Sequence, residues 1–117
     1  MEKVFNKLVR DKIPEIIEKN NEHAETRVLN EDDYRLELYK KLLEEANEVI
    51  SAKSSDEILE ELADTLEVLS SIAHMENKTI EDVIELSRQK REKRGGFEKR
   101  ILLIKTYGVD DKWKKYY

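Results

Sequence analysis

The chain has 117 residues, 42% of them charged, with three glycines, one proline, no cysteine and a net charge of −5. That length suits one compact domain, disulfide and thiol chemistry are excluded, and the acidic balance argues against a nucleic-acid polymer held by the whole surface, though not against local basic patches. The start, MEKVFNKLVR, lacks an apolar signal core, and the longest run of large aliphatics, residues 101–104, is far too short for a membrane span, so a cytoplasmic protein with no membrane partner is expected.

Few breakers among many Glu, Lys and Leu favour helices. The hydrophobic share, 38%, is low but periodic. A bundle whose helices each leave one face in water would have this composition, and a second subunit could complete part of its core.

In chain order, Asp11 is placed to cap and Pro14 is tolerated in a first turn, which predicts a short helix over about residues 12–20 with Ile13, Ile16 and Ile17 on its apolar face. Residues 21–30 read as a loop, with 26–29 extended. Asn30 then precedes Glu31, Asp32 and Asp33, a cap followed by acids that meet the positive end of the helix dipole. Leu36, Tyr39, Leu43, Ala46 and Ile50 follow at helical spacing, which predicts a long helix over about 31–53; with Leu38, Leu42 and Val49 they make one apolar arc. Ser54 and Glu57 form a capping box for a helix over about 55–76, whose stripe is Ile58, Leu62, Leu66, Leu69 and Ala73. Thr79 and Asp82 resemble another box, opening a helix to about Arg94, where Gly95 and Gly96 stop it. Residues 101–107 read as a short strand whose natural partner is 26–29. No internal repeat and no linker divides the chain, so one domain over 1–117 is expected. The expected architecture is all-α: a bundle of four or five helices, one short two-stranded pairing, and completion by oligomerisation.

The stretch KLLEEANEVI, residues 41–50, sets Glu44, Glu45 and Glu48 among leucines. With 27 acids in the chain, chance alone supplies roughly six acidic pairs at i, i+3 in such a composition; seven occur, so spacing by itself says little. Position on the helix says more. At about 100° per residue, Glu45 falls at the edge of the apolar arc near Leu38 and Val49, with Glu48 one step further out and Glu44 on the wetter side. On the next helix Glu61 and Asp64 also sit beside the stripe. Consecutive helices joined by a short turn pack antiparallel, so Glu45, Glu48, Glu61 and Asp64 can converge. Four bare carboxylates repel. A hard divalent cation with oxygen ligands, Mg²⁺, relieves that repulsion and keeps waters for a phosphate partner. Zinc does not suit the set, since His23 and His74 are not spaced with the acids.

Glu44, Glu45 and Glu48, then twelve residues, then Glu61 and Asp64 make the pattern EExxE…ExxD. This resembles the MazG-like, all-α nucleoside triphosphate pyrophosphohydrolases, which include phosphoribosyl-ATP pyrophosphohydrolase. NKLVRDKIPEII near the start and KREKRGGF after the fourth helix resemble one bacterial, archaeal and phage branch of that group. The resemblance spans about residues 5–104. It implies a helical fold that assembles at least as a dimer, either homodimer or homotetramer. It also implies Mg²⁺-dependent hydrolysis (Mn²⁺ substituting) of a nucleoside triphosphate or related nucleotide to monophosphate and pyrophosphate. Carried over by residue, Glu45, Glu48, Glu61 and Asp64 would hold the metal, and Glu44 or Glu48 would help accept a proton from the attacking water.

Two basic groups have alternative readings. Lys90, Arg91, Lys93 and Arg94 crowd the end of the fourth helix, where cations meet its negative pole. Alternatively, Lys90 and Arg94, on one face at i, i+4, bind phosphate. The family's pattern there is N-x-x-K-x-x-x-R, and this chain has Ser87 in place of the Asn. Lys7, Arg10 and Lys12 are either simply exposed or, by resemblance, bring Arg10 or Lys7 to the nucleotide in their own or a neighbouring subunit. Trp113, Tyr116 and Tyr117 could stack on a base or pack on the surface, and His74 is assigned no role. A nucleotide-sanitising enzyme is the first reading. Phosphoribosyl-ATP pyrophosphohydrolase of histidine biosynthesis is the second. A non-enzymatic helical dimeric interaction module is the rival from another class. No Gly-rich phosphate loop or nucleophilic triad is present.

Overall fold

The structure, a computed structural model, describes residues 1–108. It contains four helices: α1 (Ile13–Lys19), α2 (Glu31–Ser51), α3 (Ser55–Met75) and α4 (Ile80–Arg94). No strand occurs among the described residues; both 26–29 and 101–107 lack regular structure, so the expected two-stranded pairing does not form. The aromatic residues Trp113, Tyr116 and Tyr117 lie outside the described residues. No helix among the described residues is long and apolar enough to cross a membrane.

The chain divides into two compact units, Met1–Ile80 and Glu81–Tyr117. In the first, α2 and α3 pack against each other as the dominant pair. Their ends show the expected chemistry with some shifts. The Asn30 side chain accepts a hydrogen bond from the Asp33 N–H (2.8 Å), which starts α2. Ser54 accepts from the Glu57 N–H (3.1 Å), while the Glu57 carboxylate accepts from the Lys53 N–H (2.8 Å) rather than from the cap residue itself. The α1 cap differs from expectation. Lys12, not Asp11, is the N-cap; it makes no side-chain cap bond, and Pro14 in the first turn removes one N–H that would need a partner.

Two helix ends use asparagine in a way the sequence did not suggest. After α3, Asn77 is left-handed (φ 59°), the Asn77 N–H donates to the His74 carbonyl and the Lys78 N–H donates to the Ala73 carbonyl, both at 3.0 Å. That pairing satisfies the last open carbonyls of the helix. Asn21 (φ 63°) ends α1 in the same manner. In the second unit Gly95, at φ 80°, ends α4 as expected.

Arg35 near the start of α2 donates to Glu76 just past α3 (2.7 Å) and to Tyr39 (3.3 Å). A contact between these opposite chain ends shows that the hairpin is antiparallel. Its interior uses only part of the expected apolar positions. Leu38 and Glu45 are buried and Leu42 and Val49 half-buried, at i, i+4, i+7 and i+11, and these residues form the inner face of α2. Leu36, Tyr39, Leu43, Ala46 and Ile50 are exposed, Leu43 at 69% and Ile50 at 81%. On α3, Val68 and Ala73 are buried, while Ile58, Leu62, Leu66 and Leu69 stay exposed. The apolar arc on α2 is wide enough to offer two contact directions, and the α2–α3 contact uses only one of them.

Candidate metal centre

α2 is a long helix with its cap bond at Asn30, and Glu45 lies four turns along it on the inner face with Leu38, Leu42 and Val49. Glu45 retains only 9% of its exposure and is the one buried charged residue among those described. Across the interface, α3 presents Glu61 and Asp64 at i, i+3, both half-buried. Carboxylate oxygens from Glu45, Glu61 and Asp64 lie within 4.8 Å of one another. Thr65 beside Asp64 donates its hydroxyl back to the Glu61 carbonyl (2.7 Å), so it adds no competing polar group to the cluster.

The segment before α1 supplies two cations. Arg10 donates to Asp64 (2.8 Å), and Lys7 donates to Glu44 (3.0 Å). Glu44 is also approached by Lys41, one turn earlier on α2, at 3.5 Å. The segment runs along α2 and leaves a cleft of about 240 Å³ lined by Phe5, Asn6, Lys7 and Leu8 on one side and Glu37, Lys40, Lys41 and Glu44 on the other.

These contacts separate neighbouring glutamates electrostatically. Burial pushes the Glu45 carboxyl above its ordinary range, and the negative charges of Asp64, Glu61 and Glu44 add to this against an opposing pull from Lys41. Glu44 is held below its ordinary range, chiefly by the Lys7 hydrogen bond, with Lys41 assisting against partial desolvation. One of the pair is therefore short of positive charge and the other is supplied with it. The three carboxylates of Glu45, Glu61 and Asp64 are bonded by one guanidinium, that of Arg10, so the cluster is under-neutralised. Its donors are all hard oxygens, the set that suits Mg²⁺, Mn²⁺ or Ca²⁺ and not zinc.

Of the residues the sequence singled out, the structure gathers Glu45, Glu61 and Asp64 with Arg10, and Glu44 with Lys7. Glu48 is exposed and lies outside the group of three carboxylates. Lys90 and Arg94 occupy exposed positions one turn apart on α4, in the second unit, where Arg91 pairs with Glu98. Sequence reasoning missed that Lys7 and Arg10 pair with the acids themselves. Their i, i+3 spacing beside an acid-rich hairpin was the available signal. It also missed Lys41, whose i, i+3 relation to Glu44 was readable.

No curated protein and no solved structure matches this chain. The family described as MazG nucleotide pyrophosphohydrolase domain matches residues 35–96. That segment is just over half of the chain and contains all three clustered carboxylates together with Glu44 and Glu48. On that match, carried by a four-helix all-α fold, the chain belongs to the MazG nucleotide pyrophosphohydrolase family.

Proposed function

We propose that the protein is a Mg²⁺-dependent pyrophosphohydrolase that converts a nucleoside triphosphate, or a related nucleotide, to monophosphate and pyrophosphate. The observation that carries this reading is the convergence of Glu45, Glu61 and Asp64 from two helices, inside the family domain, with oxygens within 4.8 Å. Ligand oxygens around one Mg²⁺ lie about 3 Å apart when adjacent and about 4.2 Å apart when opposite, so the three side chains draw inward to share one ion. Glu45, Glu61 and Asp64, with Glu48 turned inward from its exposed position one turn on, would hold the ion; Mn²⁺ substitutes.

A bound divalent cation supplies Lewis-acid polarisation of the phosphate chain and an acidified water. Glu44 or Glu48 accepts the proton of the attacking water. Water oxygen bonds to phosphorus, the bridging P–O bond between the α and β phosphates breaks, and the products separate as monophosphate and pyrophosphate. Lys7 and Arg10 balance the charge that the cation leaves on the phosphates.

A homodimer or homotetramer completes the molecule in this reading. Supporting it, the exposed stripes Leu36, Leu43 and Ile50 on α2 and Leu62, Leu66 and Leu69 on α3 are each offset by about 130° from the inner face, in the same sense along each helix. For antiparallel helices that puts both stripes on one side of the hairpin, and such apolar faces mark association surfaces.

The preferred substrates are non-standard or surplus nucleotides, which makes the enzyme a pool-sanitising one; phosphoribosyl-ATP is the second choice. A panel of nucleotides including phosphoribosyl-ATP, incubated with Mg²⁺ and scored for pyrophosphate against orthophosphate, tests both. Pyrophosphate from several non-standard triphosphates supports the first. Turnover of phosphoribosyl-ATP alone supports the second. A non-enzymatic helical module would release neither product and show no Mg²⁺-dependent rise in Tm.

A further inference from the structure

We propose that the segment carrying Lys7 and Arg10 is a counter-ion latch that occupies the acid cluster until a divalent cation displaces it. The inference rests on the reading of Asp64 as a cation ligand and concerns how that site is kept before loading. Arg10 is bonded to Asp64 (2.8 Å), one of the three clustered carboxylates, while Lys7 holds Glu44 (3.0 Å) on the other helix. The two cations, three residues apart, thus straddle the α2–α3 interface. A guanidinium and a divalent ion on the one Asp64 carboxylate repel each other and draw on the same negative charge, so each weakens the other's hold. The pair is also built to exchange: the Arg10 and Asp64 side chains are 58% and 45% exposed, and pairs this wet are weak and easily replaced. Buried Glu45, short of positive charge, gives the incoming ion a gain that Arg10 does not provide.

The released Arg10 remains tethered beside the cluster, where the phosphates of a nucleotide would arrive. By linkage, a phosphate group that captures Arg10 removes the ion's competitor, so nucleotide tightens divalent binding and the ion tightens nucleotide binding by the same factor. The latch neutralises part of the cluster's charge and couples the two loading events.

The test is calorimetric titration of the full chain with Mg²⁺ alone, without nucleotide, at fixed ionic strength. Arg10→Gln is expected to bind Mg²⁺ about two- to five-fold tighter than wild type, the range set by the weakness of exposed pairs. Arg10→Lys keeps the charge and is expected to stay near wild type. Lys12→Gln removes a charge two residues away, outside both ion pairs, and is expected to change affinity by less than half as much. Adding Mg²⁺ to wild type is expected to shift the Arg10 Nε–H resonance. Equal or weaker Mg²⁺ binding by Arg10→Gln overturns the latch and makes Arg10 a support for Asp64. A tightening in Lys12→Gln as large as in Arg10→Gln overturns it in favour of general charge. The underlying metal reading is checked separately: if Asp64→Asn binds Mg²⁺ as wild type does, that reading fails and the latch falls with it.

Discussion

The inner and outer sides of the α2–α3 hairpin each carry residues that would ordinarily sit on the other side. The inner side buries Leu38 and Val68 but also Glu45, and half-buries Glu61 and Asp64. The outer side presents Leu36, Leu43, Ile50, Leu62, Leu66 and Leu69 to water. A lone hairpin with acids inside and leucines outside is poorly arranged for its own stability, since buried unpaired charge is costly and exposed leucine forfeits burial energy. In the proposed function the inner side takes a cation and the outer side an apolar surface.

Removing the cation's ligands from the inner side has the largest expected effect. Asp64→Asn should lower Mg²⁺-dependent pyrophosphate release on the order of 100-fold or more, as loss of a ligand to a catalytic ion does. Far-UV circular dichroism should stay unchanged, because Asp64 is only half-buried and makes no helix cap. Breaking the outer side should act on assembly. Leu43→Asp with Leu66→Asp is expected to bring the sedimenting mass down to the 13.9 kDa monomer; unchanged mass would locate association elsewhere.

A smaller effect isolates the charge cost inside. Burial raises the folded-state pKa of Glu45 above its ordinary 4.5. Between those two values the folded chain binds more protons than the unfolded one, so stability falls as pH rises through that window. Glu44 works in the opposite direction. Its depressed folded pKa contributes stability that is present above 4.5 and lost as pH falls through the lowered value. Glu45→Gln should therefore raise the Tm of the metal-free protein at pH 7 by about 2–5 °C, with the gain vanishing well below pH 4.5. With saturating Mg²⁺ the same variant should melt below wild type. The smallest effect is a control that touches neither side: Asn30→Ala removes the α2 cap bond and should cost about 1 kcal/mol in chemical denaturation, with divalent affinity unaltered.

The contrast between the two sides also explains how much the sequence disclosed. Helix positions were readable because their signals are local: Asn30 and Ser54 cap as their neighbours suggest, and Gly95 ends α4. The left-handed Asn77 and Asn21 were not recognised, since asparagine serves in caps, turns and loops alike and its sequence context does not distinguish them. Glu45, Glu61 and Asp64 were found because carboxylates on the edge of an apolar arc are forced toward a partner helix. The choice of inward face was not readable. On α2 the arc from Leu36 to Ile50 is broad, and which part meets α3 depends on the hairpin's packing and on what else the arc must contact. The Arg10–Asp64 and Lys7–Glu44 pairs span 54 and 37 residues, a separation that periodicity cannot bridge. The two-stranded pairing failed because the aliphatic run at 101–104 states a local preference only, and a strand needs a partner.

The central claim is that the acids between α2 and α3 hold a divalent cation for nucleotide pyrophosphohydrolysis. The most direct measurement is product release from nucleoside triphosphates by the wild-type chain with Mg²⁺ and again with excess EDTA. Equimolar monophosphate and pyrophosphate are expected with Mg²⁺ and neither with EDTA. Orthophosphate as the first product, or pyrophosphate release that EDTA leaves unchanged, would contradict it.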